Sequence, residues 1–207
     1  MLYGCNIMSD LAQIHPGCPF GRALTAAAAL PGVSSIVEVG PWHGHGTTAC
    51  LVAGMQEGAV LQSFEADASM AQTAAMAWAS RPDVKVYHGR LSKNSFMDRT
   101  SVTSHSLFER IRGHYDLWYD AELHNYETSP LCTHLLPPVV DMVCLDGGEF
   151  STMGDWETLQ CKGPKVVALD DVHAIKCHDI KSDLLAAGGE LVFYDPERNG
   201  SAIILLK

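Results

Sequence analysis

The chain reads Ile36-Val-Glu-Val-Gly-Pro-Trp-His-Gly-His-Gly-Thr-Thr48 in its first quarter, an apolar run that breaks into three glycines and resumes with small residues. This order is typical of a strand, a tight turn and a helix that together bind a nucleotide. Because glycine has no Cβ, the main chain can turn sharply after Val39 and a ligand can approach the N–H groups at the helix start.

A second apolar run, residues 60–65, ends in Glu65, nineteen positions after Gly46. A carboxylate at about this distance from a glycine turn is placed to accept hydrogen bonds from both hydroxyls of a ribose. No lysine or arginine lies at positions 24–80 to neutralise phosphate, and no P-loop motif is present. The sequence therefore predicts an adenosine ligand without phosphates.

The glycines are spaced G-x-x-x-G-x-G, whereas a dinucleotide fold presents G-x-G-x-x-G to seat a pyrophosphate. This spacing resembles the first motif of class I S-adenosylmethionine-dependent methyltransferases, E-x-G-x-x-x-G-x-[ST], which is matched by Glu38, Gly40 and Gly44; Gly46 stands at the Ser/Thr position, with Thr47 one place beyond. The resemblance implies S-adenosylmethionine as cofactor. Glu38 would lie near its methionine end, the glycine turn beneath it and Glu65 on its ribose.

The end of the third predicted strand, residues 84–88, supplies the last two candidates for the cofactor. Gly89 and Arg90 follow it directly and are predicted to approach the adenine edge. The predicted cofactor residues are thus Glu38, Gly40, Gly44, Gly46, Glu65, Gly89 and Arg90.

Composition favours one soluble α/β domain over residues 1–207, because 207 residues with 47% hydrophobic side chains can bury one substantial core. The net charge of −10 disfavours nucleic acid and anionic membranes as partners and favours a small-molecule acceptor. Seven cysteines without a C-x-x-C pair are expected to be free thiols in a reducing cytoplasm. No apolar run is long enough to span a bilayer.

Alternating patterns predict a Rossmann-like, mostly parallel seven-stranded sheet with helices on both faces and a C-terminal antiparallel hairpin. The predicted strands are residues 34–39, 60–65, 84–88, 139–146, 165–170, 190–194 and 201–206. An irregular arm, residues 1–19, is a candidate to cover the site or to contact a partner subunit of a homo-oligomer. Residues 91–138 form an insertion whose aromatics either line an acceptor pocket or pack an extra helix.

Acidic residues end several of the predicted strands. Asp146 follows the fourth strand and the pair Asp170-Asp171 the fifth, so these acids should meet Glu38 and Glu65 at one edge of a parallel sheet. Close carboxylates repel one another unless a cation lies between them, and oxygen ligands suit Mg²⁺ or another divalent cation. The alternative is that each aspartate caps the helix that follows it.

The acids resemble those of divalent-metal-dependent O-methyltransferases of the catechol and sugar-modifying type. That resemblance implies Asp146, Asp170 and Asp171 as metal ligands that hold the acceptor hydroxyls. The sequence departs from the pattern in Gly147-Gly-Glu-Phe150, which lacks the usual lysine or histidine after the acid. The catalytic candidates are then Asp146, His173 as the nearest general base and Lys176 as a weaker one. Glu149 is a further candidate for the base or for a metal ligand. The alternative for His173 is a residue at a helix start that bonds the backbone.

The function that these patterns predict is S-adenosylmethionine-dependent methylation of a small-molecule hydroxyl, assisted by a metal. Two alternatives stay open. One is a non-catalytic cofactor-binding or scaffold protein in which the insertion fills the acceptor pocket. The other is a nicotinamide-dependent oxidoreductase, which only the glycine spacing disfavours.

Overall fold

The structure is a computed structural model that describes residues 13–93 and 95–207. Its centre is a seven-stranded sheet in the order β3-β2-β1-β4-β5-β7-β6, in which β1 to β5 are parallel and β7 is antiparallel to both of its neighbours. This confirms the predicted mostly parallel sheet with a C-terminal antiparallel hairpin. The strands are β1 Ser35–Val39, β2 Val60–Glu65, β3 Val84–His88, β4 Met142–Leu145, β5 Val166–Asp170, β6 Glu190–Asp195 and β7 Ser201–Leu205.

Eight α-helices surround the sheet in the described residues. They are α1 Pro19–Ala28, α2 Thr47–Gly54, α3 Ala68–Ala77, α4 Arg99–Ser104, α5 Phe108–Ile111, α6 Tyr115–Thr128, α7 Thr152–Leu159 and α8 Ile175–Ala186. None of the described helices is long and apolar enough to cross a membrane. The strands begin and end within about three residues of the predicted positions, the usual uncertainty of a pattern at its ends.

Two hydrophobic cores lie on opposite faces of the sheet because neighbouring strand residues point to opposite sides. Ile36 packs in one core with α1 and α2, whereas Val37 packs in the other with α7 and α8. The central strands β4 and β5 are buried along their whole length, as strands covered on both faces must be. This arrangement leaves the carboxyl ends of the parallel strands as the edge where a ligand can bind.

The insertion, residues 91–138, forms α4, α5 and α6 and a short 3-10 helix over Thr133–Leu135. Its aromatic side chains pack mainly on one another and on the body of the protein: Tyr115 and Tyr119 are buried in a third cluster with Phe150. Tyr115 and Tyr119 therefore pack an extra helix onto the body of the protein, which is the second of the two predicted roles for this segment.

The predicted N-terminal arm, residues 1–19, falls largely outside the described residues, which begin at Gln13. Its last residue already belongs to α1. Pro19 occupies the first turn, where a missing N–H costs nothing, and the Cys18 thiol accepts the Gly21 N–H as an N-cap.

Candidate functional site

The glycine turn connects β1 to α2 and brings two strand ends together. Gly40 and Gly44 have φ values of 80° and 78°, in the left-handed region that favours glycine. A Cβ on Gly40 would lie 2.2 Å from the carbonyl oxygen of Asp146, so only glycine lets the turn pass this close to the end of β4. Gly44 instead faces α3, where its Cβ would meet Trp78, and Gly46 is the N-cap of α2.

Glu38 lies beneath this turn and is fully buried. Its carboxylate accepts hydrogen bonds from Thr47 at 2.6 Å, Thr48 at 2.9 Å and Ser63 at 2.5 Å, which ties β1 to α2 and β2. Burial raises the pKa of Glu38 against the opposing effect of these hydroxyls. Thr47 lines the cavity at the strand ends, so Glu38 can influence a bound ligand through it. Direct contact of Glu38 with the cofactor stays a prediction.

Glu65 ends β2 and lies against the glycine turn. Its carboxylate accepts the Trp42 N–H at 3.1 Å and the Asp67 N–H at 3.0 Å, one on each oxygen. Burial raises the pKa of Glu65 to about 7 despite these two hydrogen bonds. A carboxylate oxygen can accept more than one donor, so both oxygens retain capacity for ligand hydroxyls.

A cavity of about 630 Å³ opens at the carboxyl ends of the parallel strands. Its walls come from the glycine turn, from Glu65 and from the loops after β4 and β5. Three of its lining residues, Trp42, Asp171 and Arg198, have φ values of 51°, 55° and 56°, and they are the non-glycine residues with positive φ in the described chain. Such backbone strain is typical of functional sites.

The predicted acids after β4 and β5 do converge. Asp146, Asp170 and Asp171 line the cavity, and one oxygen of each lies within 4.8 Å of the others. Burial, followed by the nearby charges of Asp146 and Asp171, raises the pKa of Asp170 to about 7. The Oδ1 atom of Asp171 is buried and has no hydrogen-bond partner among the described residues.

Lys176 inserts its ammonium group into this cluster from the first turn of α8. Nζ lies 2.9 Å from Asp146 Oδ1 and 2.9 Å from Asp171 Oδ2, and the side chain is 6% exposed. Burial disfavours the charged form, but the charges of Asp146 and Asp171 outweigh it and raise the pKa of Lys176 well above its ordinary value. Lys176 is thus a buried cation held by two carboxylates.

Arg198, in the turn between β6 and β7, is a cavity residue for which the sequence predicts no role. Its guanidinium lies 3.3 Å from Asp170 Oδ2 and 3.0 Å from Gln13 Oε1. The local signal was present, because Asn199-Gly200 marks a turn that returns to the strand beside β5. That an arginine in this turn reaches Asp170 depends on β7 pairing with β5, which no local pattern shows.

Glu122 is a second residue with no predicted role. It lies on α6 in the insertion, and its Oε1 accepts the N–H groups of Phe150 and Ser151 at 2.9 Å each. These two bonds anchor the loop after β4 that carries Asp146. The sequence offers no signal for it, since one glutamate in a polar helix is ordinarily a solvated side chain.

Other predicted residues lie away from the cavity. Nε2 of His173 lies 2.7 Å from the Tyr194 hydroxyl, and His173 does not line the cavity. Glu149 accepts the N–H of Ile175 at 2.8 Å and thereby caps α8. Roles for these two residues as base or ligand stay predictions.

Gly89 and Arg90 pack on the insertion. A Cβ on Gly89 would lie 2.3 Å from the Cys132 sulfur, and the Arg90 guanidinium donates to the Ser92 carbonyl and lies over the Tyr126 ring. Neither residue lines the cavity, and their approach to the adenine stays a prediction.

The fold is that of class I S-adenosylmethionine-dependent methyltransferases. The chain is similar to an O-methyltransferase from Bacillus cereus in complex with S-adenosylhomocysteine (SAH), with a TM-score of 0.57 and 17% identity over 95% of this chain and 84% of that one. It is similar to the O-methyltransferase TomG from Streptomyces achromogenes, involved in tomaymycin synthesis, with a TM-score of 0.57 and 17% identity over 96% and 83%. It is also similar to the SAH-bound methyltransferase PaMTH1 from Podospora anserina, with a TM-score of 0.53 and 13% identity over 90% of this chain and 77% of that one.

The sequence by itself finds no such relatives. No family model matches the chain, and no curated protein matches it in sequence.

Proposed function

We propose that the chain is an S-adenosylmethionine-dependent methyltransferase that acts on a hydroxyl group of a small molecule. The observation that carries the proposal is the position of Glu65: its carboxylate lies against the glycine turn, on the wall of the cavity at the strand ends. A ribose can bind there through both of its hydroxyls. Among the described residues lining the cavity, Arg198 is the basic one, and it pairs with Asp170. A phosphate-free nucleoside suits such a site.

The structural neighbours support the identity of the cofactor. The Bacillus cereus and Podospora anserina proteins hold SAH, and TomG holds S-adenosylmethionine, on the same fold. Two of these three proteins are O-methyltransferases, which favours an oxygen acceptor for this chain.

Methyl transfer is an in-line displacement, so the protein has to align the acceptor and receive its proton. Asp170 ends β5 on the cavity wall and Asp171 follows it; Asp171 Oδ1 has no hydrogen-bond partner among the described residues and lies 3.9 Å from the Arg198 guanidinium. These carboxylates are placed to accept a hydrogen bond from an acceptor hydroxyl. Asp146 lines the same wall from β4 and helps to orient the acceptor.

A divalent cation at these acids, as the sequence predicts, has to be weighed against the charges already present. The three carboxylates are close enough to share an ion. However, Lys176 already takes one oxygen of Asp146 and one of Asp171, and Arg198 lies beside Asp170. A bound dication would be repelled by both cations. The residues therefore do not fit a resident metal, and no step of the proposed reaction passes through one.

Calorimetry with the native chain tests the cofactor. We expect one-to-one binding of S-adenosylmethionine and SAH and no binding of NAD. Heat with NAD and none with SAH would favour the oxidoreductase instead. The scaffold alternative required residues 91–138 to fill the acceptor pocket, and the described residues of that segment do not line the cavity. Formation of SAH from S-adenosylmethionine distinguishes an enzyme from a scaffold. It is measured with water, catechols or polyols as acceptors, and an enzyme forms SAH whereas a scaffold does not.

A further inference from the structure

The acid cluster at the cavity is organised around a lysine. Lys176 Nζ donates to Asp146 Oδ1 and approaches Asp171 Oδ2, each at 2.9 Å, and lies 3.5 Å from the Gly147 carbonyl oxygen. All three oxygens belong to the loops that follow β4 and β5. The ammonium group therefore bridges the two strand ends that form this wall of the cavity.

The fold holds this lysine in place from both sides. Its neighbours Ile175 and Cys177 are buried in two different hydrophobic clusters, so the first turn of α8 cannot rotate without exposing one of them. The Glu149 carboxylate, from the loop after β4, accepts the Ile175 N–H and fixes the helix start. A lysine side chain is ordinarily mobile and solvated. Here it is 6% exposed, and its charge is directed at the carboxylates.

We propose that the Lys176 ammonium is the resident cation of the acid cluster and takes the part that a divalent cation would otherwise play. It holds Asp146 and Asp171 at the cavity wall with one oxygen of each engaged. The inference rests on the proposed function only for the role of these carboxylates in binding the acceptor, because the arrangement of the charges is independent of the reaction. Lys176 is on this account a positioning residue and not the general base, because its protons are shared with two carboxylates.

Charge balance supports the proposal. With every group ionised, the three aspartates, Lys176 and Arg198 carry one net negative charge, which one cationic ligand can balance. Without Lys176 the same oxygens would face one another with two net negative charges. Converging carboxylates of that kind bind hard divalent cations.

The test is to remove the lysine charge and measure metal binding without cofactor. Native protein, Lys176→Met and a control, Lys181→Met on the same helix, are titrated with Mn²⁺ and followed by electron paramagnetic resonance. We expect no saturable site in the native chain or in Lys181→Met, and one site in Lys176→Met that is roughly tenfold or more tighter than any native binding. Asp146→Asn in the Lys176→Met background should abolish that site. If Lys176→Met fails to fold, Lys176→Gln, which is neutral but still donates hydrogen bonds, replaces it.

Two results would overturn the proposal. One is a stoichiometric Mn²⁺ site in the native chain that Asp146→Asn removes. The other is Mn²⁺ binding by the folded Lys176 variant that is no tighter than that of the native chain. SAH binding, measured separately in EDTA and in Mn²⁺, keeps the two hypotheses apart. Loss of SAH binding under all conditions would contradict the proposed function and leave the metal titration valid.

Discussion

Glu65→Gln perturbs the proposed ribose contact with little change in shape. The carboxylate already accepts the N–H groups of Trp42 and Asp67, so the amide can keep only one of these bonds and one acceptor oxygen for the ligand. A hydrogen bond to a charged group contributes about 1.5 to 3 kcal/mol. The affinity for SAH should therefore fall roughly 10- to 150-fold.

The same carboxyl group predicts how binding depends on pH. Burial raises the pKa of Glu65 to about 7, and ribose hydroxyls donate to the ionised form. With that pKa the ionised fraction increases about tenfold from pH 6 to pH 8, and the affinity for SAH should increase by about the same factor. The effect on stability has the opposite sign. A raised carboxyl pKa favours the folded state below the ordinary glutamate pKa of 4.5, and this contribution is lost as the pH rises through about 7.

Binding calorimetry with SAH at pH 6 and pH 8 measures the loss of affinity and its dependence on pH. The matched control is Glu57→Gln, because Glu57 is an exposed glutamate shortly before β2. The control should bind SAH like the native chain at both values. Glu65→Gln should bind weakly and lose the tenfold pH dependence. An affinity within about twofold of native, or an unchanged pH dependence in the variant, would refute the ribose contact.

Further variants probe the architecture around the site. Gly40→Ala should lower the free energy of unfolding, measured in urea, by roughly 2 to 5 kcal/mol. The control Gly58→Ala has a similar φ of 83° but open space around its Cβ, and it should cost about 1 to 2 kcal/mol. Equal losses would contradict the close approach of Gly40 to the end of β4. Glu38→Ala should cost roughly 2 to 5 kcal/mol because three hydroxyls lose their buried acceptor, and a loss below about 1 kcal/mol would contradict that network. Asp141→Asn should cost about 1 to 2 kcal/mol at pH 7. Burial opposes ionisation of Asp141, but hydrogen bonds from Ser34, Lys165 and Ser35 lower its pKa to about 2, so the difference from native should vanish as the pH falls from about 4 to 2.

The fold could be predicted because its signals are local. Six of the seven strands end at or just before a glycine or an acid, and a turn carrying Asn199-Gly200 forces the last two strands into a hairpin. The position of Glu65 could be predicted for the same reason. Parallel strands share one edge, so a carboxylate at the end of β2 has to lie near the turn after β1.

The rest of the site depends on contacts between distant segments. The sequence shows that Asp146 and Asp171 follow neighbouring strands, but only the packing of α8 shows that the Lys176 ammonium lies between them. Burial also changes the role of a residue without changing its motif. Glu38 fits the first motif, yet it lies beneath the turn with three hydroxyl partners, because the following helix packs over it.

A crystal structure of the protein in complex with SAH tests the central claim most directly. We predict density for the nucleoside in the cavity beside the glycine turn, with both ribose hydroxyls within about 3.2 Å of the Glu65 carboxylate. A ribose that binds elsewhere, or that turns away from Glu65 while the adenosine occupies the cavity, would contradict it.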